Sequence, residues 1–125
     1  MPGPLEGVKV LSFALHLAGP FCTMLLCDLG AEVIKIEPPG KGDPARRNFP
    51  FIDGISSYFL SINRGQKSIT LNLRDEQAKK IVFELVKRMD ILVENFRPGV
   101  MERLGFSYKE INTLNPKIIY ASISG

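Results

Sequence analysis

Apolar and polar positions fall into short two-residue alternations separated by three-to-four-residue periodicities. Residues 8–13 (VKVLSF) are an apolar, β-prone run between Gly7 and Ala18-Gly19-Pro20, too short for a helix. Pro20 suits the opening of a helix, where a missing N–H costs nothing. Phe21, Met24, Leu25 and Leu29 then recur at helical spacing, and Gly30 supplies a stop. Residues 32–37 (EVIKIE) alternate charged and apolar side chains and predict a second strand. Residues 38–57 carry Pro38, Pro39, Gly40, Gly42, Pro44, Pro50 and Gly54, the composition of a long irregular loop. Loops of that length in compact domains are usually functional or mobile. The brief apolar segment 58–62 fits either element type.

The second half repeats the rhythm. Residues 68–73 (SITLNL) alternate as a third strand, and Asp75 stands where a helix N-cap or first-turn acid belongs. Ala78, Ile81, Val82, Leu85, Val86 and Met89 then mark one face of an amphipathic helix. Residues 90–94 predict a fourth strand, and Pro98 opens a short helix to about Leu104. Ser107 and Glu110 form a capping-box pattern for a helix ending near Asn115-Pro116, and residues 117–123 predict a fifth strand. Strands alternating with helices imply an α/β, Rossmann-like fold: a mostly parallel five-stranded sheet with helices on both faces.

Composition narrows the class. The 125 residues make one domain, 45% hydrophobic and 23% charged, outside the range of disordered chains. A net charge of +3 is too thin for a dedicated nucleic-acid stripe and better suited to a small polyanionic ligand. Cys22 and Cys27 are five apart in a helical pattern, poorly placed to pair, and no Cys/His cluster has zinc spacing. The chain therefore reads as cytoplasmic and metal-free. Residues 15–26 are broken by Gly19-Pro20 and fall short of the roughly 20 apolar residues of a membrane span. No basic signal-peptide region precedes them. The chain stops at Gly125 directly after an apolar run, as the front part of a longer protein would.

Ligands of such sheets bind beyond the carboxyl ends of the strands, where strand order reverses. That rule nominates residues 14–20, 37–47, 72–74 and 94–98. His16 sits in an apolar loop, where a satisfied histidine is the default ahead of a ligand role. Gly40-Lys41-Gly42 has glycines suited to a phosphate loop without the full motif. Arg46, Arg47, Arg64, Lys67, Arg74, Arg97 and Arg103 lie in or beside these loops and are surface charges unless several converge on one edge. Asn95-Phe96 joins an amide able to hydrogen-bond a base to a ring able to stack on one, or is a turn residue beside a core aromatic.

Several motifs occur together in one order: Leu17-Ala18-Gly19-Pro20, residues 24–37 (MLLCDLGAEVIKIE), Gly42-Asp43-Pro44, Asn63-Arg64 with Lys67-Ser68, residues 93–99 (VENFRPG), residues 102–105 (ERLG), Leu114-Asn115-Pro116 and residues 119–125 (IYASISG). In this spacing the chain resembles the N-terminal part of the class III CoA-transferases, a group that includes α-methylacyl-CoA racemase. The resemblance implies an N-terminal CoA-binding domain, residues 1–125, within a protein about three times as long that forms an interlocked homodimer. It implies acyl-CoA and a carboxylic acid as substrates, no permanently bound cofactor, and neither nucleic acid nor membrane as partner. CoA would pass through an acyl-enzyme anhydride on an Asp beyond Gly125, so no catalytic residue is assigned and the chain alone is expected to be inactive. Carried over position by position, His16, Leu17 and Ala18 are similar to backbone contacts at the pantetheine and thioester. Leu71 and Arg74 match residues beside the adenine and its phosphates, Asn95 and Phe96 an Asn-Phe pair against CoA, and Arg103 a phosphate-binding Arg. Leu15 and Leu17 stand where relatives are often polar, which argues against a formyl- or oxalate-type substrate and favours a larger or more apolar acyl group. An acyl-CoA racemase or epimerase and a non-catalytic CoA- or nucleotide-binding module are the alternatives. Without the rest of its protein, the domain is expected to expose apolar surface and an open sheet edge at residues 118–124, and to self-associate.

Overall fold

A computed structural model describes residues 2–125. Five strands form one parallel sheet: β1 (Lys9–Ser12), β2 (Glu32–Glu37), β5 (Lys67–Thr70), β6 (Ile91–Glu94) and β7 (Ile119–Ser122). Their spatial order is β5-β2-β1-β6-β7, and every pairing is parallel. The connections are α1 (Ala18–Asp28) after β1, α3 (Glu76–Val86) after β5, and α4 (Val100–Leu104) with α5 (Tyr108–Leu114) after β6. Strand order reverses between β1 and β6, and the loops leaving these two strands flank the resulting crevice. The expected α/β, Rossmann-like sheet is present.

Alternation along each strand divides the core in two. Leu11, Phe13, Ile36 and Leu92 pack with Val82 and Val86 of α3, Met101 of α4, and Phe106 and Ile111. Val10, Ala14, Val33 and Val93 form the other layer, against Leu26 and Cys27 of α1. Each fully buried large aliphatic or aromatic side chain contributes about 1.5–3 kcal/mol of transfer free energy. The helix ends are capped by the residues whose side chains suit them. Asp75 accepts from the amides of Gln77 and Ala78, and the Ser107–Glu110 capping box forms in full. Asn115 donates to the carbonyls of Val86 (2.9 Å) and Met89 (2.8 Å), tying the α5 end to the turn that closes α3.

The irregular stretch holds more structure than its composition predicts. A short 3-10 turn (Pro44–Arg47) precedes an antiparallel hairpin of β3 (Phe51–Ile52) and β4 (Ile55–Ser56), and the segment 58–62 belongs to α2 (Ser57–Asn63). Asp53 and Gly54 both have positive φ (50° and 78°), as a tight two-residue hairpin requires. The third strand is shorter than expected: the chain leaves the sheet after Thr70, so Leu71 to Leu73 form a loop. Helix α1 also packs differently. Met24 is buried, but Phe21, Leu25 and Leu29 are nearly half exposed, because Gly19, Pro20 and Thr23 form the face set on the sheet. With Leu17 they make an outer apolar stripe, and Ile119 on edge strand β7 is 62% exposed. This is the uncovered apolar surface expected of the domain by itself.

Candidate functional site

At the carboxyl end of the sheet, loops from β1, β2, β5 and β6 meet around a groove of about 290 Å3. Leu15 comes from the first loop, Pro38 and Pro39 from the second, Leu71 and Arg74 from the third, and Phe96 from the fourth. Arg74 also borders an adjoining hollow of about 430 Å3, shared with Lys79 and Arg103. That hollow carries three cations and no acidic side chain. Lys79 is paired with Glu76, whereas Arg74 and Arg103 have no ion-pair partner among the described residues. An apolar slot opening onto two free guanidiniums suits a ligand with a flat, uncharged end and a phosphorylated one. Asn72 shapes the turn that presents Arg74, its Oδ1 accepting from the Arg74 amide (3.2 Å).

The expected site residues divide into three groups. Leu71, Arg74 and Phe96 share the groove, and Arg103 stands beside it across the common hollow. Asn95 does not line it. Its amide is turned onto Leu15, accepting from the backbone N–H (2.9 Å) and donating to the carbonyl (2.7 Å). His16, Leu17 and Ala18 are exposed at the start of α1, next to groove-lining Leu15. Gly19 lets α1 approach this corner: a Cβ there would lie 2.3 Å from that of Ala14 and 3.0 Å from Asn95 Cγ.

Beneath the loops lies a charged cluster that sequence reasoning missed. Lys35 and Glu37 are 1% and 2% exposed, with Asp43 completely buried. Lys35 Nζ lies 2.8 Å from Asp43 Oδ2 and donates to the Ala14 carbonyl (2.8 Å). Burial pushes the Lys35 ammonium below its ordinary range, against the pull of Asp43 and Glu37. Glu37 accepts from Arg46 Nε (2.8 Å) and Nη2 (2.6 Å), the Asp43 amide (2.7 Å) and the Ser68 hydroxyl (2.8 Å). Burial alone would raise its pKa; Arg46, the amide and the hydroxyl outweigh it and hold the carboxyl at about 2. The Arg46 guanidinium also lies 3.9 Å from the centre of the Phe59 ring.

The cluster reaches one glycine of Gly40-Lys41-Gly42. A Cβ on Gly42 would sit 2.5 Å from Glu37 Oε2, so the glycine admits a carboxylate at close range. A separate hollow of about 690 Å3, beside Phe83, Ser107 and Thr113, contains none of the expected residues. No group of three His, Cys, Asp or Glu placed to hold a metal ion occurs among the described residues. Among them no helix is long and apolar enough to cross a membrane.

Residues 5–125 match the family model described as CoA-transferase family III. The chain is 53% identical over 123 residues to acetyl-CoA:oxalate CoA-transferase of Acetobacter aceti, covering 98% of this chain and 32% of that protein. It is 50% identical over 123 residues to human succinyl-CoA:glutarate CoA-transferase, covering 98% and 28% respectively. A solved CAIB/BAIF family protein from Brucella suis superposes with a TM-score of 0.93 at 41% identity, over all of this chain and 34% of that one. The chain thus spans about a third of the length of the curated relatives it matches.

Proposed function

The chain belongs to CoA-transferase family III, and on that basis we propose that its protein moves CoA from an acyl thioester to a free carboxylic acid, with residues 1–125 as the CoA-binding domain. One observation carries the reading: Leu71, Arg74 and Phe96 meet in one groove with Arg103 beside it, at positions that the family resemblance matches to CoA contacts. Adenine fits between Leu71 and Phe96, and the phosphates fit against Arg74 and Arg103. The pantetheine would run past Leu15 toward the backbone of His16, Leu17 and Ala18. Asn95 would act through Leu15, fixing the groove wall. The acceptor is a short dicarboxylic acid, since both relatives named above act on one, ahead of the apolar acyl group suggested by Leu15 and Leu17. An interlocked homodimer would cover the apolar stripe on α1.

The test uses the full-length protein with acetyl-CoA or succinyl-CoA and a panel of acids, following new thioesters by mass spectrometry. Transfer to oxalate or glutarate, with none to long-chain monocarboxylates, is the expected result. The 125-residue chain by itself should bind CoA without turnover, since a nucleophile is not among its assigned residues. Epimerisation of an α-branched acyl-CoA without transfer would overturn the assignment.

A further inference from the structure

The backbone of the three residues that follow Phe13 is held by side chains from elsewhere in the fold. Lys35 of β2 donates to the Ala14 carbonyl, and Asn95 engages both backbone groups of Leu15. Asp43 Oδ1 accepts from the His16 amide (3.1 Å) and also from the Ala45 amide (2.9 Å). What they hold is a conformation His16 does not favour, with φ at +66°. A non-glycine residue stays in that region when its surroundings over-determine it. Lys35 and Asp43 supply that constraint as a buried pair 2.8 Å apart. Buried ion pairs are costly to desolvate and tend to persist where they specify a geometry rather than add stability. Glu37 completes the arrangement by accepting from the Asp43 amide, which sets the Asp43 backbone relative to β2.

We infer that Lys35 and Asp43 are positioning residues, a buried latch that sets the backbone of residues 14–18 for the thioester end of CoA. The inference rests on the CoA reading above, but Lys35 stands on the Val33 face of β2, whereas Ile36 on the other face lines the groove that holds Arg74. Its loss should therefore affect the chemical step more than the grip on CoA.

The test is Lys35→Met with Asp43→Leu in the full-length protein, which removes both charges together, leaves neither buried alone and takes away the Oδ1 acceptor of the His16 amide. Hydrogen exchange at residues 13–18 should quicken at least tenfold while residues 91–94 stay protected. The turnover number should fall at least tenfold while the Kd for CoA changes less than threefold. Should the double variant not fold, Lys35→Met with Asp43→Ala, which likewise leaves neither charge and no Oδ1 acceptor, is read the same way. Unchanged exchange at residues 13–18, or loss of CoA affinity by the same factor as turnover, overturns the latch. Failure of the unaltered protein to bind CoA would instead remove the proposed function, and the exchange result would still judge the latch.

Discussion

Glu37→Gln should lower the unfolding free energy by about 2–4 kcal/mol at neutral pH, the range for breaking a buried, fully hydrogen-bonded charge. Glutamine offers one acceptor oxygen where Glu37 uses two, so the Arg46 fork, the Asp43 amide and the Ser68 hydroxyl cannot all be satisfied. The acid dependence follows from the depressed carboxyl. Its folded pKa of about 2 lies below the ordinary glutamate value of 4.5. Its contribution, of order 3 kcal/mol, is therefore complete above about pH 4.5 and is lost as pH falls toward 2. Urea titrations of the full-length protein and its Gln variant should show the gap at pH 7 shrink to less than half by pH 3. A variant within 0.5 kcal/mol of the parent at both pH values would show that the cluster is not holding the loops.

Arg74→Ala combined with Arg103→Ala should weaken CoA binding about 100-fold at low salt. Charge-assisted hydrogen bonds are worth about 1.5–3 kcal/mol, and both arginines are exposed, which places each near the lower limit. Two such losses total roughly 2.7 kcal/mol, or two decades in Kd. The gap should narrow as salt rises, because the screening length falls to about 3 Å at 1 M. Pantetheine, which lacks the phosphates, should bind parent and variant alike. Calorimetry gives all of these values, and an unchanged Kd for CoA would move the phosphates to another surface.

How much of this was legible in the sequence depends on the kind of signal. Strand and helix alternation gave the sheet, because each apolar run had a length and period compatible with one element. The Ser107 capping box and the Asp75 cap were equally readable, being local chemistry. The hairpin was present as Asp53-Gly54, a strong turn signal obscured by the surrounding prolines and glycines. The charged cluster was half visible. A period of two places Val33, Lys35 and Glu37 on one face, and a parallel sheet is covered on both faces. Two inward charges therefore required partners, yet nothing local identifies Asp43 and Arg46, which arrive through a loop. Asn95 shows the same limit. Its bonds to Leu15 join residues 80 positions apart, a pairing that no local pattern announces. Leu71, Arg74 and Phe96 meet because strand ends place them at one edge, and Arg103 reaches the adjoining hollow from α4.

A crystal structure of the full-length protein with CoA tests the central claim most directly. The adenine should lie between Leu71 and Phe96, with the phosphates within hydrogen-bond distance of Arg74 and Arg103 and the thiol end directed toward His16 and Ala18. CoA bound in the hollow beside Phe83, Ser107 and Thr113, with the strand-end groove empty, would contradict it.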